Sequence, residues 1–136
     1  SAWYYLDPET GIMQTGWEQL GNKWYYLRSS GAMTTGWYQE GSTWYYLDAE
    51  NGDMKTGWQY LGNKWYYLRS SGAMATGWVK DGSTWYYLNA SNGDMKTGWT
   101  KVNGNWYYLN SSGAMVTGSQ TIDGKVYNFA SSGEWI

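Results

Sequence analysis

Apolar residues come along this chain in short bursts separated by polar, glycine-rich stretches. Each burst is the tetrad Trp-Tyr-Tyr-Leu, beginning at Trp3, Trp24, Trp44, Trp65, Trp85 and Trp106, and a degraded copy, Val126-Tyr127-Asn128-Phe129, ends the series. The steps between copies alternate 21, 20, 21, 20, 21, 20. A period near twenty marks an array of small units, each too short to bury its own apolar face. A second tryptophan stands seven residues before five of the tetrads, at Trp17, Trp37, Trp58, Trp78 and Trp99, always after Thr-Gly. Between the two tryptophans lies a glycine dipeptide: Gly21-Asn22, Gly41-Ser42, Gly62-Asn63, Gly82-Ser83, Gly104-Asn105 or, in the last unit, Gly124-Lys125. Two aromatic segments about a two-residue glycine turn predict a β-hairpin. Glycine first in the turn suits the positive φ of a type II′ turn. Ser-Ser-Gly-Ala-Met or Asn-Gly-Asp-Met follows each complete unit and reads as a loop.

Within a strand, Trp24 and Tyr26 point one way and Tyr25 and Leu27 the other. An isolated hairpin is marginally stable, so both aromatic faces must find cover. One face is expected in the core of a stack and the other against the neighbouring hairpin. The predicted fold is all-β, a solenoid of stacked hairpins in which each unit touches mainly its neighbours. A single repeat module fills residues 1–136, with a partial first repeat at 1–14, full repeats over 15–116 and an atypical terminal repeat at 117–136. In that last repeat Ser119 replaces the expected tryptophan. Residues 17–57 and 58–98 agree at 33 of 41 positions, so the duplicated cassette is a pair of hairpins.

Composition removes several function classes. The 136 residues include nine basic and eleven acidic side chains, a net charge of −2. That balance supplies no basic groove for a nucleic acid, despite an aromatic content of 21%. The absence of cysteine excludes a disulfide framework and thiolate metal ligation. Apolar runs of about four residues are too short to insert in a membrane.

What remains is the aromatic set. The hairpin is expected to bring Trp17 near Trp24 as opposed residues, and Met33, Met54, Met74, Met95 and Met115 recur in the loops. Indole and phenol faces carry negative quadrupole density, and a thioether beside them adds no charge. Such a surface suits a weakly hydrated cation, above all a quaternary ammonium, which offers no N–H and needs no carboxylate. Core packing is the competing use of these rings. Four or five large rings per twenty residues exceed what a thin hairpin stack buries, and Tyr25, Leu27 and their equivalents suffice for the inner face.

The unit Gly-Trp, five or six residues, Trp-Tyr-Tyr-Leu, then Ser-Ser-Gly-Ala-Met and Thr-Gly-Trp resembles the choline-binding repeat of pneumococcal surface proteins and their phages. The resemblance covers essentially the whole chain. It implies a left-handed superhelix of hairpins with choline held between consecutive hairpins by two tryptophans of one repeat and a tyrosine of the next. Carried over by position, it implies cages at Trp17, Trp24 and Tyr46; at Trp37, Trp44 and Tyr67; at Trp58, Trp65 and Tyr87; and at Trp78, Trp85 and Tyr108. Met33, Met54, Met74 and Met95 are candidates for a fourth wall. Both ends depart from the pattern. Trp99 and Trp106 meet Asn128 where a tyrosine is expected, and Trp3 with Tyr26 lacks a Thr-Gly-Trp partner. Trp135 is assigned either to covering the open end or to a contact with a second copy, as a homodimer would make. The resemblance further implies an extracellular, cell-wall-attached module that anchors a parent protein to phosphocholine on teichoic and lipoteichoic acids, with choline as ligand and no cofactor.

Catalysis has no support in the sequence. Without His or Cys the usual general base and thiol nucleophile are missing. Asn51-Gly52-Asp53 and Asn92-Gly93-Asp94 lack the ligand run of a calcium loop and read as Asx-turns. Two alternatives stand beside choline binding. A glucan-binding module of similar repeats would need convergent amides or carboxylates, which the proposed cages lack. A spacer or dimerisation stalk would not need both tryptophans of each unit exposed.

Overall fold

The computed structural model describes residues 3–136 and is built from twelve five-residue strands. They pair as six two-stranded antiparallel hairpins. In chain order these are β1 (Gly16–Leu20) with β2 (Lys23–Leu27), β3 (Gly36–Glu40) with β4 (Thr43–Leu47), and β5 (Gly57–Leu61) with β6 (Lys64–Leu68). Then come β7 (Gly77–Asp81) with β8 (Thr84–Leu88), β9 (Gly98–Val102) with β10 (Asn105–Leu109), and β11 (Gly118–Ile122) with β12 (Lys125–Phe129). The chain divides into two compact units, 1–59 with 68–74 and 60–67 with 75–136.

Each turn has the two residues that the glycine pattern demands. Gly21 (φ 66°), Gly41 (φ 62°) and Gly82 (φ 65°) take the left-handed first position expected of them. Gly62 (φ 57°) and Asn63 (φ 68°) are both left-handed, as a type I′ turn requires, and the last two hairpins differ further. Their turns are Asn103-Gly104 and Asp123-Gly124, one residue earlier than the dipeptides read from the sequence, and both residues of each have positive φ. Asn-Gly and Asp-Gly tolerate that paired conformation, which type I′ turns require. The strand register is that of the other hairpins, with glycine in the second place of the turn.

The core is built on one leucine or phenylalanine per hairpin, joined by Val79 in the fourth and Ile122 in the sixth. Leu27, Leu47, Leu68, Leu88, Leu109 and Phe129, each closing its second strand, are all at most 3% exposed. After that residue the chain makes a loop and returns through a single bridge: Leu27 to Met33, Leu47 to Met54, Leu68 to Met74, Leu88 to Met95, Leu109 to Met115 and Phe129 to Trp135. The 20/21 alternation is built here. Leu27 and Met33 are separated by residues 28–32, Leu47 and Met54 by the longer 48–53. In the longer loop Asp48 Oδ1 accepts the N–H groups of Glu50 and Asn51 (both 2.9 Å), so the Asx-turn is made by Asp48, three residues before the Asn51-Gly52-Asp53 run to which the sequence assigns it.

The bridging residue also ties one hairpin to the one before it. In the first unit the N–H of Met33 donates to the Trp3 carbonyl (2.7 Å), Met54 to Trp24 (2.7 Å) and Met74 to Trp44 (2.8 Å). In the second, Met95 donates to Trp65, Met115 to Trp85 and Trp135 to Trp106, each at 2.8 Å. Methionine side chains complete the joint by lying against a loop glycine of the next repeat. A Cβ built on Gly31, Gly52, Gly72, Gly113 or Gly133 would overlap the thioether of Met13, Met33, Met54, Met95 or Met115 respectively.

Candidate functional site

Strand pairing decides which rings share a face. Trp17 lies opposite Tyr26, and Trp24 opposite Gln19. The two tryptophans of a hairpin are thus diagonal neighbours on one face, not the directly opposed pair that the sequence suggested. The diagonal turns them into a corner. Trp37 and Trp44 have centroids 6.3 Å apart at 86°, Trp78 and Trp85 6.4 Å at 88°, and Trp99 and Trp106 6.4 Å at 82°. Trp58 and Trp65 occupy the same positions on β5 and β6, and Trp65 packs against Tyr60 at 5.0 Å. The second tryptophan of each corner stays open: Trp24, Trp44, Trp65, Trp85 and Trp106 are 36–42% exposed, against near-complete burial of the leucine three residues on.

The third ring differs from the one expected. The sets Trp17, Trp24, Tyr46 and Trp78, Trp85, Tyr108 are not what the structure gathers. Tyr45 reaches Trp17 (5.0 Å, 65°), and Tyr107 reaches Trp78 (4.8 Å, 67°). Tyr46, Tyr87 and Tyr108 instead pack edge-on against the first tryptophan of their own hairpins, Trp37, Trp78 and Trp99, at 5.1, 5.0 and 5.3 Å. Tyr67 sits at the equivalent position of β6. The physical reason is that stacked hairpins present opposite faces to each other. The tyrosine lent across the gap therefore has the opposite parity to the tryptophans it meets, which selects the first tyrosine of the tetrad.

These residues enclose a cleft in the first unit. Trp17, Trp24, Tyr45 and Met54 line about 420 Å³ together with Ser70 and Ser71. The methionine is that of the following hairpin, held by its backbone bond to Trp24. Trp17 is fixed by an indole N–H to Glu40 Oε1 hydrogen bond of 3.2 Å. Behind it, Tyr26 and Tyr38 stack at 4.1 Å, and burial pushes the Tyr38 phenol up from its ordinary value, the Tyr26 hydroxyl and Glu40 adding to that. Tyr26 therefore belongs to this packing. It is Tyr25, with Met33, that shares a cleft of about 370 Å³ with Trp3.

At the other end the expected gap at Asn128 is filled by Tyr127, 4.9 Å from Trp99. Trp135 stands where other repeats carry methionine, making the same bridge and the same backbone bond. Its ring lies 5.9 Å from Trp99 and 5.8 Å from Tyr127. Trp99, Trp106, Tyr127 and Trp135 thus form a four-ring cluster. One sequence signal would have found its fourth ring: Ser-Ser-Gly-Glu-Trp aligned on Ser-Ser-Gly-Ala-Met puts Trp135 at the methionine position.

The choline-binding repeat profile matches residues 14–56, 55–97 and 96–136. The chain belongs to the choline-binding repeat family. CbpJ from Streptococcus pneumoniae is 76% identical over 99% of this chain and 45% of its own, with a TM-score of 0.94. Choline binding protein F of the same organism, solved in the presence of a peptidoglycan analogue, is 63% identical over 100% of this chain and 44% of its own, with a TM-score of 0.93. The cell wall endolysin of phage Cp-1, solved in complex with choline, is 40% identical over 90% of this chain and 37% of its own, with a TM-score of 0.62. No curated protein matches. The chain spans less than half the length of these solved relatives.

Proposed function

We propose that this module binds choline in the aromatic clusters between its hairpins and holds a longer protein on phosphocholine of cell-wall teichoic and lipoteichoic acids, at the outer surface of the cell. Within the described clusters the ligand positions are Trp17, Trp24, Tyr45 and Met54; Trp78, Trp85, Tyr107 and Met115; and Trp99, Trp106, Tyr127 and Trp135. The carrying observation is the right-angled pair of indoles closed by a phenol and a thioether, with no charged side chain lining the Trp17 cleft. The Trp78 and Trp85 ring centres are only 6.4 Å apart at 88°, close enough for one cation to lie within the ~6 Å reach of a cation–π contact with both. A trimethylammonium group fills that corner without leaving a donor unpaired. The module itself does the anchoring, and any catalysis belongs to other parts of the longer protein.

Titration with choline against intrinsic tryptophan fluorescence tests the reading, with glucose and sodium chloride as controls. A saturable change specific to choline is expected. Silence with choline and a response to glucan oligomers would move the module to sugar binding.

A further inference from the structure

Two lysines stand on the tryptophan face of their hairpins. Lys80 lies opposite Trp85 and Lys101 opposite Trp106, and each ammonium sits 5.9 Å from the centre of the indole it faces. The first two hairpins have Gln19 and Gln39 at this position. A second difference meets the first at Trp106. Lys55 is held by Asp48 and Asp53, both at 3.6 Å, but the later copy of that loop carries Asn89 in place of Asp48. Among the described residues no carboxylate lies within ion-pairing distance of Lys96 or Lys101; Asp94 instead meets Lys64 at 3.9 Å. Lys96, Lys101, Trp99 and Trp106 line one open groove of about 580 Å³, with the polar Asn89 and Ser91.

A bare cation has no use for two unpaired ammonium groups beside its cage; they repel it. A ligand that carries an anion a few bonds from its quaternary ammonium reverses the sign. We propose that the Trp99–Trp106 groove selects choline in phosphodiester linkage over free choline, its trimethylammonium in the indole corner and its phosphate between Lys96 and Lys101. This rests on the cage reading above for the Trp99 and Trp106 indoles, which the groove shares; its other walls include Tyr87, Asn89 and Ser91 of the preceding repeat, and Tyr127 and Trp135 do not line it. The Lys101 ammonium covers the Trp106 face until the ligand's own cation displaces it, and it then meets the phosphate. Removing it has opposite consequences for the two ligands: less competition for free choline, a lost partner for the diester.

The test is site-resolved, on the whole chain labelled with ¹⁵N-tryptophan, with indole N–H signals assigned by single Trp→Phe variants. Choline, glycerophosphocholine and inorganic phosphate are titrated at low salt into the native chain and a Lys96→Gln/Lys101→Gln variant whose melting temperature is first shown unchanged. Exposed charge pairs each contribute modestly, so a preference of about 3–10-fold for glycerophosphocholine is expected at Trp99 and Trp106. No such preference is expected at Trp17 and Trp24, and the variant should lose it while binding free choline as tightly or more tightly. An equal ratio of the two affinities at both pairs of tryptophans, or a ratio the variant leaves intact, overturns the proposal with the cages standing. Inorganic phosphate that displaces glycerophosphocholine as well as choline does would also overturn it. Choline that shifts no indole signal at all defeats the cage reading itself. Phosphatidylcholine vesicles offer the same diester at a bilayer. Co-sedimentation would assign the ligand to a lipid, and binding of glycerophosphocholine without co-sedimentation to a soluble polymer; both support the groove's preference.

Discussion

At the scale of single residues, adjacent tyrosines of one tetrad have different roles. Tyr45 crosses to Trp17 of the preceding hairpin, whereas Tyr46 packs on Trp37 of its own. Tyr45→Ala should therefore weaken choline at the Trp17 and Trp24 indoles by about 2–30-fold, the equivalent of one cation–π contact of about 0.5–2 kcal/mol. Tyr46→Ala should lower the melting temperature while leaving affinity at those two indoles unchanged. Choline titrations read at the Trp17 and Trp24 indole N–H signals separate the two, and equal losses would contradict the assignment. Both tryptophans of each site were legible in the sequence because their spacing is fixed and strand parity puts them on one face. The tyrosine was not. Parity within a strand says which residues point together, but the choice between Tyr45 and Tyr46 depends on which face the next hairpin turns toward this one, and that is set by stacking.

Hairpins were legible as elements for a related reason: turn chemistry and alternation are local. The joints between them were harder to read, because a methionine and a glycine that meet belong to consecutive repeats. Gly113 illustrates the constraint. Its φ of 88° is left-handed, and a Cβ there would overlap the Met95 sulfur. Gly113→Ala should cost about 1–3 kcal/mol through overpacking, added to the backbone strain. Pairing it with Met95→Ala should recover the steric part and leave the strain, so the double variant should melt higher than the sum of the single effects. Strict additivity in the melting curves would mean that the methionine does not pack on this glycine.

The longer loops carry an electrostatic signature. The backbone N–H groups of Asn51 and Glu50 on the Asp48 carboxylate, with Lys55 nearby, hold its pKa below the ordinary carboxylate range. A carboxyl with a folded pKa below its unfolded one contributes stability above the unfolded value, and this contribution is lost as pH falls through the folded value. Asp48→Asn keeps the Asx acceptor, as Asn89 does in the later copy. The variant should show a smaller drop in melting temperature than the native chain when acidified from about pH 6 through the ordinary carboxylate range and below it. An unchanged drop would remove Asp48 from the acid response.

For the molecule as a whole, the same repetition governs stability and retention. One buried leucine or phenylalanine per hairpin is a thin core, and the clusters that would bind choline lie at the joints between hairpins. Ligand that binds the folded joints alone stabilises them by mass action, about 2.7 kcal/mol per site at a hundred times Kd. Each cage by itself should be weak, near a millimolar Kd or about −4 kcal/mol, since a few cation–π contacts must offset the cost of association. A polymer bearing many choline groups turns the second and later contacts into intramolecular ones, and avidity can then exceed single-site affinity by roughly 10²–10⁴. The module should therefore stay on a choline-bearing matrix through washes in which the free monomer would dissociate at once, and leave when free choline well above its own Kd occupies the cages. Replacing Trp85 and Trp106 together by alanine opens two of the corners. That change should lower the choline concentration needed for elution far more than it alters the affinity of the remaining sites. If the double variant elutes where the native chain does, retention does not arise from several weak cages acting together, and a single strong site must be sought instead.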